Sequence, residues 1–179
     1  NPDNLRVCLT KLEPRQRGLF AAAWTLGYVA TFSRTGVEAI AMGAPTGPLG
    51  IIYRKAEHKQ PWYDELSAPA VFPVYHVISG LARGAGQKMV DATSSDSAKV
   101  QSLAYKGKGG TTLWLANLTA ANQSVKLSGA KGAIFGTTLD ENSFVAATTD
   151  PQGFQQSWKA MTDALTLKPY AVAVMSIND

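Results

Sequence analysis

The side chains best suited to binding a polar ligand lie close together, in a segment from about residue 52 to residue 68. This segment holds aromatic and charged residues in close succession, and long loops of this composition are frequent at binding sites. Aromatic rings can stack on flat apolar faces of a ligand, and His58 or a tyrosine can donate hydrogen bonds to its oxygen atoms. Histidine exchanges protons near neutral pH, so His58 could serve in catalysis or binding, or could be a solvated loop residue.

The sequence holds no complete set of catalytic residues. Nucleophile-elbow, P-loop and dinucleotide motifs are absent, and the glycine-rich residues 106–110 are typical of a hairpin turn. The adjacent carboxylates Asp64 and Glu65 indicate a solvated turn, while Glu38 is a weak catalytic candidate. His76 lies in an apolar helical run, which favours a structural role. With two histidines and the lone Cys8, we expect no metal site and no cofactor.

Composition places the chain among ordinary globular proteins. Of 179 residues, 45% are hydrophobic and 17% are charged, which excludes a disordered chain, a collagen-like repeat and a charge-rich coiled coil. The net charge is +4, but the basic residues are scattered, so we expect no nucleic-acid partner. No run approaches the roughly 18 apolar residues that a transmembrane helix needs, so we expect no membrane span. The compartment and the oligomeric state stay open.

The first half of the chain, residues 1–84, alternates strand and helix patterns, which is typical of parallel-sheet units. The predicted elements are a strand over 5–9, a helix from 15 to about 35 that Gly36 ends, a strand over 37–42, a loop over 43–50 and a helix over about 69–81. The first helix is apolar and small around much of its circumference, so we expect it to be packed on more than one side.

The second half, residues 85–179, contains short alternating segments separated by turn residues, which predicts five to seven strands and a β-sandwich. The predicted strands are 101–105, 111–117, 124–127, 133–135 and 170–177, with a hairpin turn over 106–110. The polar stretch 148–156 predicts a loop.

Several segments resemble, in matching order, a known family. Residues 13–27 (EPRQRGLFAAAWTLG) are similar to a barrel helix, residues 36–38 to the start of the eighth strand, 46–50 to the loop after it and 73–78 to the eighth helix. Residues 113–119 (LWLANLT) and 165–173 resemble central and closing sandwich strands. The family is that of the D-apionate lactonase-like proteins, which are relatives of the clan A glycoside hydrolases.

The resemblance implies an α/β plus all-β fold, in which the last strand–helix units of an incomplete TIM barrel (1–84) precede an antiparallel β-sandwich (85–179). It further implies the C-terminal portion of a carbohydrate-active hydrolase, lactonase-like or glycosidase-like. In clan A hydrolases the catalytic carboxylates follow barrel strands four and seven, and neither is found here. We therefore expect the catalytic carboxylates to lie outside this chain, which would be inactive by itself.

Barrel chemistry takes place at the C-terminal ends of the strands. If residues 37–42 form strand eight, the following loop borders the pocket. The resemblance then implies a sugar or sugar-acid ligand with the following contacts: Thr46, Tyr53, His58, Trp62 and Tyr63. The alternative is that this loop only covers the joint between barrel and sandwich, with Trp62 as its plug.

The first helix presents Leu19, Phe20 and Trp24, which need more apolar partner surface than one strand and one short helix provide. We expect the rest of the barrel or another protein chain to pack there. Two alternatives to a hydrolase stay open, namely a non-catalytic sandwich that binds or stabilises, and an assembly protein that has lost the chemistry. Ala44, where the family pattern has an acidic residue, favours the last of these slightly.

Overall fold

The computed structural model describes Asp3, residues 13–107 and residues 109–178. Within these residues the helices are α1 (Leu19–Phe32), α2 (Val74–Arg83), α3 (Phe144–Thr149) and α4 (Pro151–Gln156), with 3-10 turns at Pro14–Arg17 and Tyr63–Glu65. The strands are β1 (Lys88–Val90), β2 (Val100–Gly107), β3 (Gly110–Asn117), β4 (Gln123–Lys126), β5 (Ile134–Leu139), β6 (Lys159–Met161), β7 (Ala164–Leu167) and β8 (Val172–Ile177). The strand predicted over residues 5–9 lies outside the described residues.

Six of the strands form one antiparallel sheet in the order β1-β2-β3-β8-β5-β6, and β4 pairs with β7 in a separate ribbon. Side chains along β3 point alternately to the two faces of the sheet, and Leu113 and Leu115 lie on the face that packs against Leu167 of the ribbon. Trp114 and Ala116 point to the opposite face. The residues that the structure describes therefore contain eight strands in two layers, slightly more than the five to seven predicted. The tight turn between Gly107 and Gly110 confirms the predicted hairpin.

Helices α1 and α2 cover the second face of the large sheet. The small side chains of α1 allow a close approach: Ala22, Ala23 and Leu26 are fully buried in a core that includes Trp114. On another side, Ala21 belongs to a separate cluster with Tyr63. This confirms that α1 is packed on more than one side.

The predicted helix boundaries shift by a few residues for local reasons. Residues before Leu19 form a 3-10 turn, in which the Glu13 carboxylate accepts a hydrogen bond from the Arg15 amide at 3.1 Å. Helix α1 ends at Phe32, before the predicted end near residue 35, and Gly36, with a φ of 77°, lies at the end of the turn that follows the helix. The second helix begins at Val74 rather than near residue 69, because a residue before proline, here Phe72, is disfavoured in a helix.

The strand predicted over residues 37–42 is wrong. Among the described residues no strand pairs with this segment, and Val37 is exposed. A strand requires hydrogen-bonding partners on a neighbour, so an apolar β-branched pattern alone does not form one. The loop predicted over 43–50 is confirmed, with an isolated bridge between Ala44 and Gly50.

The loop predicted over residues 148–156 is also wrong, because this stretch contains the end of α3 and all of α4. Asp150 caps α4 by accepting a hydrogen bond from the Gly153 amide at 2.9 Å, and Pro151 occupies the first turn. Ala147 and Phe154 are buried in the core beside α2. These two apolar contacts fix a helical segment whose overall composition is polar.

Candidate functional site

Three of the five predicted contact residues lie together. The rings of Tyr53 and Tyr63 stack with centroids 5.7 Å apart, and the Trp62 ring meets the edge of Tyr63 at 4.9 Å. Thr46 is exposed and His58 is half-buried, and neither side chain has a hydrogen-bond or ring partner among the described residues. The structure thus groups the aromatic residues but does not bring Thr46 or His58 into contact with them.

A hydrogen-bond network closes the loop around this group. The Asp64 carboxylate accepts hydrogen bonds from the Tyr53 hydroxyl at 2.9 Å and from the Gln60 backbone amide at 2.6 Å. The Gln60 side chain donates to the Arg54 carbonyl at 2.9 Å. The Gln60 amide, with a further contribution from Tyr53, holds the pKa of Asp64 below its usual value. Desolvation, followed by the neighbouring Asp64, raises the pKa of the Tyr53 hydroxyl, which stays protonated and donates.

Tyr63 supports the loop from below. Its side chain is 3% exposed, and its hydroxyl donates to the Arg17 carbonyl at 2.7 Å. Burial raises the pKa of this hydroxyl well above its usual range. The ring also meets the edge of Phe72 at 4.9 Å. Because Tyr63 is buried, it can influence a ligand only by positioning the Tyr53 and Trp62 rings that pack on it.

Trp62 sits at the edge of the group in a strained backbone conformation. Its φ of 68° is rare for a residue other than glycine, and such strain costs about 1–3 kcal/mol unless packing maintains it. The half-buried indole packs between Tyr63 and Phe144, whose ring centroid is 5.1 Å away. Phe144 is the first residue of α3, so Trp62 bridges the loop to the second half of the chain. This is the contact that the joint-covering alternative requires.

A cavity of about 370 Å³ opens beside the start of the loop, between α1, α2 and residues 42–49. It is lined by Glu13, Arg15, Gln16, Phe20, Ala21, Trp24, Thr25, Met42, Gly43, Leu49, Val74 and Ile78. None of the five predicted contact residues lines it. Trp24 is 52% exposed at this cavity, while Leu19 and Phe20 are half-buried.

A second cavity, of about 310 Å³, lies between α2, the sheet and α4. This cavity was not predicted from the sequence. The solvated turn predicted at Asp64 and Glu65 is confirmed, since both residues are exposed in the 3-10 turn Tyr63–Glu65, but the hydrogen bonds that Asp64 accepts were not predicted. Among the described residues, no group of three or more His, Cys, Asp or Glu side chains is placed to hold a metal ion. No described helix has the length and apolar character needed to cross a membrane.

Comparison with known proteins gives two adjacent family matches. Residues 1–86 match the TIM barrel domain of D-apionate lactonase, and residues 97–175 match its C-terminal immunoglobulin-like domain. The chain is 26% identical over 128 residues to the D-apionate lactonase of Brucella anthropi, an alignment that covers 72% of this chain. It covers 19% of that relative, so the chain spans about a fifth of the length of the curated relative it matches.

Two glycoside hydrolases are among the solved structures to which the chain is similar. A GH30 endoxylanase from Clostridium papyrosolvens C71 is 19% identical with a TM-score of 0.44, covering 61% of this chain and 28% of that one. A GH39 β-xylosidase from Caulobacter crescentus is 10% identical with a TM-score of 0.43, covering 97% and 43%. These scores carry no information on function. The two sequence matches, barrel domain followed by immunoglobulin-like domain, identify the chain as a member of the D-apionate lactonase-like family.

Proposed function

We propose that the chain is the C-terminal portion of a carbohydrate-active hydrolase that opens a sugar-acid lactone, with its catalytic carboxylates outside these 179 residues. The observation that carries this proposal is the succession of two domain matches from one lactonase family along the chain. Within the loop, Asp64 is not a free acid or base, since its carboxylate accepts hydrogen bonds from the Tyr53 hydroxyl and the Gln60 backbone amide.

In this proposal the loop from Thr46 to Tyr63 forms one wall of the substrate site. Because residues 37–42 form no strand within the described part of the chain that could place this loop, its aromatic group, Tyr53, Trp62 and Tyr63, supports the assignment. The half-buried Trp62 supplies a flat apolar face for a sugar ring, and Tyr53 and His58 supply groups that can bond to hydroxyl or lactone oxygens. Tyr63 and Asp64 hold that wall in place through the contacts described above. Water attacks the lactone carbonyl and the ring C–O bond breaks, giving a hydroxy acid that releases one proton at neutral pH.

The second candidate function is a non-catalytic module that stabilises the joint between barrel and sandwich. The contact between Trp62 and Phe144 favours it, because this contact directs the indole toward α3 instead of leaving it free for a ligand. An assembly protein that has lost the chemistry belongs to the same class, and Ala44 supports it in the way described above.

Activity measurements separate the hydrolase from the module. A pH-indicator assay with aldonolactones should show proton release by a longer protein that includes the barrel segment, and none by the 179-residue chain. Aryl glycosides, assayed in parallel, distinguish a glycosidase from a lactonase. Turnover by the 179-residue chain would contradict the placement of the carboxylates, and an inactive longer protein would favour the module.

Substitution of Trp62 tests the role of the loop. If the indole stacks on the substrate, Trp62→Ala should raise KM in the longer protein several-fold while the protein stays folded. If Trp62 only plugs the joint, the same variant should lower Tm and leave KM unchanged. Val145→Ala, which truncates an exposed side chain next to Phe144, is the matched control and should change neither quantity.

A further inference from the structure

The 310 Å³ cavity between α2, the sheet and α4, called here the junction cavity, has the composition of a binding site. Its volume lies at the lower end of the range for small-molecule sites. The lining combines aromatic, apolar and polar side chains. It consists of His76, Val77, Gly80, Arg83, Gln87, Tyr105, Gly107, Thr112, Trp114, Thr137, Leu139, Phe154, Gln155, Trp158, Val172 and Val174.

His76 offers a buried acceptor to this cavity. Its side chain is more than nine-tenths buried, and Nε2 lies 2.8 Å from the Ala147 carbonyl, which assigns the proton to Nε2. Nδ1 is then a hydrogen-bond acceptor, and it is buried without a partner. Burial, with the nearby positive charge of Arg83 as a lesser cause, lowers the pKa of His76, so the ring is neutral at pH 7.

Gln155 supplies the complementary donor. Its Oε1 accepts a hydrogen bond from Arg83 at 3.2 Å, which orients the amide, and its Nε2 is buried without a partner. An unpaired donor and an unpaired acceptor on two residues that line one cavity are uncommon, because buried polar groups are nearly always hydrogen-bonded. A ligand bearing hydroxyl groups would satisfy both.

Arg83 gives the cavity its charge. Its guanidinium donates to Ser79 and Gln155, and among the described residues it has no carboxylate partner. None of the described residues that line the cavity is Asp or Glu. A guanidinium without a counter-ion is a site for a carboxylate, which it can bind through two hydrogen bonds.

Trp158 completes the site with an apolar face. Trp158 is 39% exposed, so it can be covered by a ligand, whereas Trp114, which also lines the cavity, is 4% exposed and belongs to the core. An exposed tryptophan face next to convergent polar groups is the usual environment for the C–H face of a sugar.

We propose that the junction cavity binds a small polyhydroxylated carboxylate, a sugar acid of about six carbons. The carboxylate binds Arg83, a hydroxyl donates to His76, an oxygen accepts from Gln155, and the carbon chain covers Trp158. The site shares no residue with the loop proposed as the substrate wall, so it goes beyond that function and does not depend on it.

Indole N–H signals in NMR spectra of the 179-residue chain, titrated with sodium D-gluconate, test this proposal. Trp158 and Trp114 should shift saturably in the millimolar range, while Trp24 and Trp62 should not. D-Sorbitol, which lacks the carboxylate, should bind at least about tenfold more weakly, because it loses the charge-assisted hydrogen bonds to Arg83. Acetate, which lacks the hydroxyls, should bind more weakly as well, because it loses the hydrogen bonds with His76 and Gln155. Equal shifts with sorbitol, shifts at Trp24 or Trp62 alone, or no saturable shift would overturn the proposal.

Variants locate the binding. Arg83→Gln should weaken gluconate binding by about tenfold or more, and Gln155→Glu should weaken it as well, by placing a negative charge beside the ligand carboxylate. Lys131→Gln removes the same charge as Arg83→Gln at an exposed turn outside the cavity and should bind normally. The Tm of each variant shows whether it is folded, and if one variant does not fold, the other provides the test. Normal gluconate binding by a folded Arg83→Gln or Gln155→Glu protein would refute the proposal.

Discussion

Helix α2 approaches the sheet most closely at Gly80, and this contact allows a sharp test of how the two halves of the chain are joined. A Cβ atom placed on Gly80 would lie 2.4 Å from Cη2 and 2.5 Å from Cζ2 of Trp114. Trp114 is buried, and its indole N–H donates to the Tyr105 hydroxyl at 3.4 Å, so the ring cannot easily move away from an added methyl group. The glycine is required by space, not by backbone conformation.

Two opposing effects determine the stability of Gly80→Ala. Alanine favours the helix by about 1 kcal/mol relative to glycine. Overpacking a well-filled core costs about 1–3 kcal/mol and sometimes more, and an overlap this deep with a buried ring falls at or above the top of that range. We therefore expect a net loss of about 2 kcal/mol, which for a chain of this size lowers Tm by about 4–8 °C.

Thermal unfolding of four proteins measures this effect: wild type, Gly80→Ala, Trp114→Phe and the double variant. Phenylalanine frees the space that the added methyl needs, so the double variant should be more stable than the two single losses predict. Ala82→Gly, at an exposed position of α2, is the control and should cost about 1 kcal/mol from helix propensity alone. An increase in Tm for Gly80→Ala, or additive losses in the cycle, would refute the proposed packing of α2 against the sheet.

Three further predictions concern single side chains. Asn117 is fully buried, and its side-chain amide donates to the carbonyls of Ala121, Leu167 and Lys168. Asn117→Leu should lower the free energy of unfolding, measured by chemical denaturation, by about 3 kcal/mol. Asn122→Leu, at an exposed position, is the control and should lower it little. Tyr53→Phe should raise the pKa of Asp64 in an NMR pH titration by removing one donor, and an unchanged pKa would contradict the observed hydrogen bond. Because the pKa of His76 is lowered on folding, the unfolded state binds more protons as pH falls below about 6.5, so stability should decrease from there toward the lower folded pKa. His76→Gln, which keeps a donor for the Ala147 carbonyl, should lose this dependence of Tm on pH, and His58→Gln should retain it.

The β-rich half was largely predictable because its signals are local. Residues 111–117 alternate between two buried faces, and glycines bracket the turn before them, so both the strand and its hairpin partner follow from spacing alone. The number of strands was underestimated because β1 and β6 span three residues each, too few for a periodic pattern. Helix α1 was predicted for a similar reason, since small and apolar residues predominate from Leu19 to Phe32.

Residues 37–42 and 148–156 were mispredicted because their structure depends on distant partners. The first has the composition of a strand but no neighbour among the described residues, and the second has the composition of a loop but buries Ala147 and Phe154. The candidate loop shows the same division. Its aromatic content indicated a cluster, whereas the contact of Trp62 with Phe144, 82 positions later, has no local signal.

The segment formed by α3 and α4 contacts both the candidate loop and the junction cavity. The Thr148 carbonyl accepts a hydrogen bond from the Val71 amide at 3.0 Å, the Ala147 carbonyl accepts one from His76, and Phe154 packs edge-on against the His76 ring at 4.6 Å. At one end of the segment Phe144 contacts Trp62 of the candidate loop, and near the other end Gln155 contacts Arg83 of the junction cavity. Both candidate sites therefore take part of their geometry from the same short segment. The α3–α4 segment holds Gln155 and Trp62 in fixed positions at its two ends, so filling the junction cavity should leave the Trp62 environment unchanged as long as α3 and α4 do not move.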